Sequence, residues 1–156
     1  MSLVQSPTPL QLRAWSYKLV KPNKMVQKWF KFAQDDLIAA KALWDLQNER
    51  LWRPITFHSQ QAAEKAIKGF LAFKKIAFIK NHDINKLAEK VEDLHPELRE
   101  LLTRARDLIP YAVQFRYPDA VVKELEKHEV EEALKIATQV LKEMSSLIPF
   151  DSLFNI

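Results

Sequence analysis

The sequence predicts an all-α fold, an antiparallel four-helix up-and-down bundle with one additional short helix. Three observations carry that expectation. Apolar residues recur at spacings of three and four along several long stretches, the pattern of helices that bury one face. A single glycine, Gly69, stands among 156 residues, whereas tight strand hairpins and phosphate-cradling loops draw on residues that reach positive φ without strain. Prolines and good capping residues fall at the margins of the periodic stretches.

Residues 1–22 carry three prolines and a weak apolar pattern around Leu12, Trp15 and Leu19, and read as an N-terminal extension ahead of a helical body over 23–149 and a short tail over 150–156. The first helix starts near Asn23, a suitable N-cap, and runs to about Gln47, with Val26, Trp29, Phe30, Ala33, Leu37, Ala40 and Trp44 on one stripe and Asp36 at its edge. Pro54 suits the first turn of a second helix that continues to about Lys75, with Ile55, Ser59, Ala62, Ala66, Phe70 and Phe73 as its core face. Gly69, in its middle, costs about 1 kcal/mol against alanine, and close approach of another helix is the expected return.

Asn81, His82 and Asp83 form a turn, and Asp83 caps a short helix over 84–93 that presents Ile84, Leu87 and Val91. Pro96 opens the next helix through Leu98, Leu101, Leu102, Ala105 and Leu108, which Pro110 kinks or ends. In QFRYPD, residues 114–119, Pro118 biases the chain before it away from the α region, so Arg116 and Tyr117 are expected on an extended turn. The last helix, about Lys127 to Leu147, shows a clean stripe of Val130, Ala133, Leu134, Ala137, Val140, Leu141, Met144 and Ile148.

Composition narrows the function. Hydrophobic residues make up 47% and charged residues 28%, the balance of a chain that buries a core. With no cysteine, disulfides, thiolate nucleophiles and cysteine-based zinc sites are excluded. No uncharged run approaches the 18 or so apolar residues of a membrane span, and no signal-peptide core opens the sequence, so a cytoplasmic protein without membrane contact is expected. A net charge of +4 favours anionic ligands mildly and is far from the dense basic stripe of a dedicated nucleic-acid binder.

The candidate chemistry gathers on the second helix. At about 100° per residue, His58, Gln61, Glu64, Lys65 and Lys68 fall within an arc of about 120°. Periodicity alone makes this a solvated face, with Glu64 and Lys68 an i, i+4 pair in the favourable order. Asp36 argues for more, because a carboxylate buried at the margin of an apolar stripe needs a cationic or hydrogen-bonding partner, and Lys65 or His58 could supply it. Arg53 precedes His58 with four residues between them, a spacing that could serve acid–base chemistry on a phosphate. Glu92 and His95 form a lone Glu-x-x-His, whereas di-iron bundles need two such motifs and two further glutamates, so no metal is expected. His82 serves its turn and His128 faces solvent. Arg116 offers a guanidinium fork for phosphate and Tyr117 a ring for a base, unless the two serve only to close the end of the bundle.

The stretches WFKFAQDDLIAAKAL (29–43), FHSQQAAEKAIKGFL (57–71), HDINKL (82–87) and RYPD (116–119), in that order before a final amphipathic helix, resemble the HEPN family, the higher eukaryote and prokaryote nucleotide-binding domains. The resemblance covers about three quarters of the chain. It implies a four- or five-helix bundle, commonly a homodimer, with a polar groove associated with nucleotide or RNA chemistry and no cofactor. It also implies pairing with a separately encoded minimal nucleotidyltransferase in a two-component, toxin-antitoxin-like system. Carried over by position, Asp36, His58, Gln61, Glu64, Lys65, Lys68, His82, Arg116 and Tyr117 are the residues expected to line that groove. Family members that cleave RNA carry an arginine four to six residues ahead of a histidine near the start of the last long helix. Here eleven residues separate Arg116 from His128, and the one matching spacing, Arg53 to His58, sits on the second helix. A non-catalytic nucleotide- or anion-binding module is therefore expected, with a metal-independent ribonuclease toxin as the alternative.

Overall fold

Six α-helices and two short 3-10 turns make up the described residues, 24–78, 83–116, 118 and 124–149 of a computed structural model. No strand occurs among them, and the chain is an all-α bundle as its periodicity predicts. The expected extension and tail, 1–22 and 150–156, lie outside the described residues.

Helix α1, Lys24–Asp45, buries Val26, Phe30, Ala33, Leu37 and Ala40, while Trp29 and Trp44 lie half-buried at the edge of the stripe. It stops two residues before Gln47, which takes φ of 47° and donates from Nε2 to the Trp44 carbonyl at 2.7 Å, a left-handed residue ending the helix. A 3-10 turn, Glu49–Leu51, leads into α2, Trp52–Phe73, with Pro54 in its first turn. Helices α1 and α2 run antiparallel: Ala40 clusters with Ile55, Asp36 reaches His58 and Lys65, and the Phe30 ring lies against Gly69. The glycine does permit a close approach, since a Cβ there would stand 2.7 Å from Phe30 Cε2.

The single core face expected for α2 is corrected by the structure. From Ser59 to Leu71 every residue except Lys65 is buried, including Gln60, Gln61, Glu64 and Lys68. The reason is position: α2 is the central helix and packs on α1 and on three further helices, so almost no side is left for water. Those are α3 (Ile84–Leu94), α5 (Ile109–Arg116) and α6 (Lys127–Ser146).

Asp83 caps α3 through its side chain, which accepts from Asn85 N at 3.1 Å. A 3-10 turn, Pro96–Leu98, precedes α4, Arg99–Arg106. The break that follows comes at Asp107 and Leu108, and Pro110 then sits in the first turn of α5, where its missing N–H leaves no bond unmade. Arg116 is likewise corrected: it is the last residue of α5 and not part of an extended turn. A proline restricts only the residue directly before it, so Pro118 leaves Arg116 free to be helical. Helix α6 opens with a capping box between Glu126 and Glu129 and buries Val130, Ala133, Ile136, Ala137, Val140, Leu141 and Met144 against α2 and α1. None of the described helices is long and apolar enough to cross a membrane.

Candidate functional site

Asp36 stands on α1 one turn beyond the Phe32 position, and α2 brings a histidine and a lysine to it. His58 Nδ1 lies 2.9 Å from Asp36 Oδ1, and Lys65 Nζ donates to Asp36 Oδ2 at 2.5 Å. The Asp36 side chain is 13% exposed, so both oxygens need partners, and both have them. Burial pushes its carboxyl up, but the hydrogen bonds and charges of His58 and Lys65 together outweigh burial and hold it below its ordinary value.

A second polar layer lies deeper on the same helix. Lys68 Nζ donates to Glu64 Oε1 at 2.7 Å, Gln60 Nε2 donates to Glu64 Oε2 at 2.8 Å, and Gln61 Nε2 donates to Gln60 Oε1 at 2.6 Å. The carboxylate sets the direction of this chain, because it only accepts. Trp29 of α1 covers the Lys68 ammonium, 5.4 Å from the ring centroid.

Over this layer opens a cleft of about 630 Å³, within the usual size of small-molecule sites. Gln61, Glu64, Lys65 and Lys68 contribute its polar side, and Met25, Trp29, Ala72, Ile76 and Phe78 its apolar walls. The Trp29 and Phe78 rings meet edge to face at 6.2 Å.

The structure thus gathers six of the nine expected residues, Asp36, His58, Gln61, Glu64, Lys65 and Lys68, along the α1–α2 seam. Arg116 ends α5, and His82 and Tyr117 lie outside the described residues. Arg53 does not join His58: it lines a separate cleft of about 310 Å³ with Glu49, Arg50, Trp52, Glu124 and Leu125. Glu92 faces Arg106 as an ion pair at 2.7 Å, and His95 Nδ1 meets Glu97 Oε1 at 2.8 Å, so the two are engaged separately. No cluster able to hold a metal occurs among the described residues.

Sequence reasoning missed Gln60, which falls outside the polar arc yet links Gln61 to Glu64. It also missed Phe78 and Met25 as cleft walls. Phe78 lies in a linker, where periodicity gives no signal, and Trp29, read as part of the α1 core stripe, is instead half-buried and walls the cleft.

Comparison with known proteins agrees with this architecture. The HEPN domain family matches residues 26–147. A Methanocaldococcus jannaschii protein named "Putative toxin MJ1304" is 32% identical over 133 residues, covering 76% of this chain and 85% of its own length. No solved structure matches the chain. On this match across the whole bundle, the chain belongs to the HEPN domain family.

Proposed function

We propose that this protein is a nucleotide-binding HEPN module that acts as a homodimer beside a separately encoded minimal nucleotidyltransferase, in a cytoplasmic two-component system of the toxin-antitoxin kind. The observation that carries the binding part is the cleft: aromatic walls from Trp29 and Phe78 suit a base, and amines and an amide from Lys65, Lys68 and Gln61 suit polar groups attached to it. The pairing part rests on family membership and on the name of the archaeal relative.

Thermal unfolding with and without about 1 mM of each nucleoside triphosphate tests it. A dissociation constant near 10 μM adds about 2.7 kcal/mol, which raises the midpoint by about 5–10 °C for a chain of this length. No shift with any nucleotide, alone or with the nucleotidyltransferase present, sinks the reading.

A second reading is a metal-independent ribonuclease toxin, of which the relative's name supports only the word toxin. Here His58, oriented by Asp36 at 2.9 Å, is the group suited to acid–base work. Purified protein incubated with total RNA and a chelator decides this: intact RNA, together with normal growth on expression, removes it.

A further inference from the structure

The cleft has the shape of a ligand site but not the charge of a phosphate site. Its cations are already matched: Lys68 to Glu64 at 2.7 Å, Lys65 to Asp36 at 2.5 Å. Both oxygens of each carboxylate accept a hydrogen bond. A phosphate on Lys68 would have to displace Glu64 or sit beside it, because the Lys68 ammonium, whose side chain is 5% exposed, is held 2.7 Å from that carboxylate. The floor is therefore polar yet neutral, and the walls are apolar and aromatic.

We propose, resting on the nucleotide-binding reading, that the cleft takes the base and leaves the phosphates outside. Trp29 and Phe78 are the specificity-determining residues, offering ring faces and edges to a neutral heteroaromatic ring. The Glu64–Lys68 pair is a positioning element: it holds Gln60, and through it Gln61, in one orientation. Phosphates are left to the exposed amines of Lys24 and Lys28, which share the first two turns of α1 with Met25 and Trp29 and form no ion pair among the described residues. The base could come from a free nucleotide or from a nucleic-acid strand, since both present the same ring.

Calorimetric titration of the full chain with adenosine, AMP and ATP, the matching uridine series, and a short single-stranded RNA tests this. Affinities of nucleoside and triphosphate are expected within about threefold of each other, and salt between low and high concentration is expected to change nucleoside binding little. Trp29→Leu is expected to weaken binding about tenfold or more, and Phe78→Leu, in the linker after α2, gives the same readout should the first variant fail to fold. Binding of the RNA alone, lost in the same variants, identifies a strand as the source. Affinity that climbs about tenfold with each added phosphate and collapses in salt overturns base recognition while keeping nucleotide binding. No binding by any of these probes overturns both.

Discussion

The Glu64 carboxylate and the Lys68 ammonium lie 2.7 Å apart on successive turns of α2, with side chains only 2% and 5% exposed. An i, i+4 pair of this kind on a wet helix is worth a few tenths of a kcal/mol. Buried beneath Trp29, it has different consequences. Lys68→Met leaves the Glu64 charge without its cation, and a loss of about 3–5 kcal/mol is expected. Glu64→Gln combined with Lys68→Met keeps an acceptor for Gln60 and removes both charges, so it is expected to be clearly more stable than the single variant. Urea denaturation of the two proteins checks the order; a double variant no better than the single would show that charge burial is not the cause.

Asp36 makes stability depend on pH. Its carboxyl is held below its ordinary value of 3.8, burial being outweighed by His58 and Lys65. A depressed folded value means the unfolded chain takes up the proton first as acid is added. The stability that Asp36 contributes is therefore whole above the ordinary value and is lost as pH falls through the lower folded one. Asp36→Asn is expected to flatten this acid limb while leaving the rest of the profile in place. Denaturation of both proteins from neutral to strongly acidic pH gives the difference directly, and parallel curves would refute the assignment.

Gly69 sets two effects against each other. Alanine gains about 1 kcal/mol of helix propensity, but its Cβ would meet three atoms of the Phe30 ring at 2.7, 2.9 and 3.1 Å. Phe30 is 1% exposed and packed in the main core cluster, so the ring has no free volume to move into. The overlap is expected to win, with Gly69→Ala destabilising by about 1–3 kcal/mol. Phe30→Leu in the same chain is expected to recover part of that loss, which separates overlap from propensity.

These residues also show which parts of the design were legible in sequence. The α1 stripe, the Asp83 cap and the α6 stripe were readable because each helix has one buried side, and a period of 3.6 reports one-sidedness. Helix α2 defeats that logic. Its polar arc reads as solvated because periodicity sees the helix alone, whereas the neighbours that bury Gln61, Glu64 and Lys68 come from α1 and from distant segments. Asp36 was the useful clue, a carboxylate at the edge of an apolar stripe; Lys65 and His58 were alternatives as its partner, and the structure brings both to it. Phe78 and Gln60 carried no comparable signal, since one sits in a linker and the other is an amide outside the arc.

Arg53 and His58 illustrate the limit of spacing as evidence. Five positions along a helix turn a side chain through about 140°, so the two residues face different neighbours. Arg53 is exposed and lines the smaller cleft beside Arg50 and Glu49. His58 turns toward α1 and binds Asp36. A guanidinium and an imidazole acting on one phosphate must converge on it, and these do not. Arg53→Gln is accordingly expected to leave stability within about 0.5 kcal/mol of the parent and to leave binding at the Trp29 cleft unchanged. His58→Leu, by contrast, removes a hydrogen bond from a half-buried carboxylate and is expected to cost about 1–3 kcal/mol. Denaturation and nucleotide titration of the two variants side by side check both halves. Equal losses of binding in both would mean that Arg53 and His58 work as a unit despite their separation, and would return the ribonuclease reading to the front.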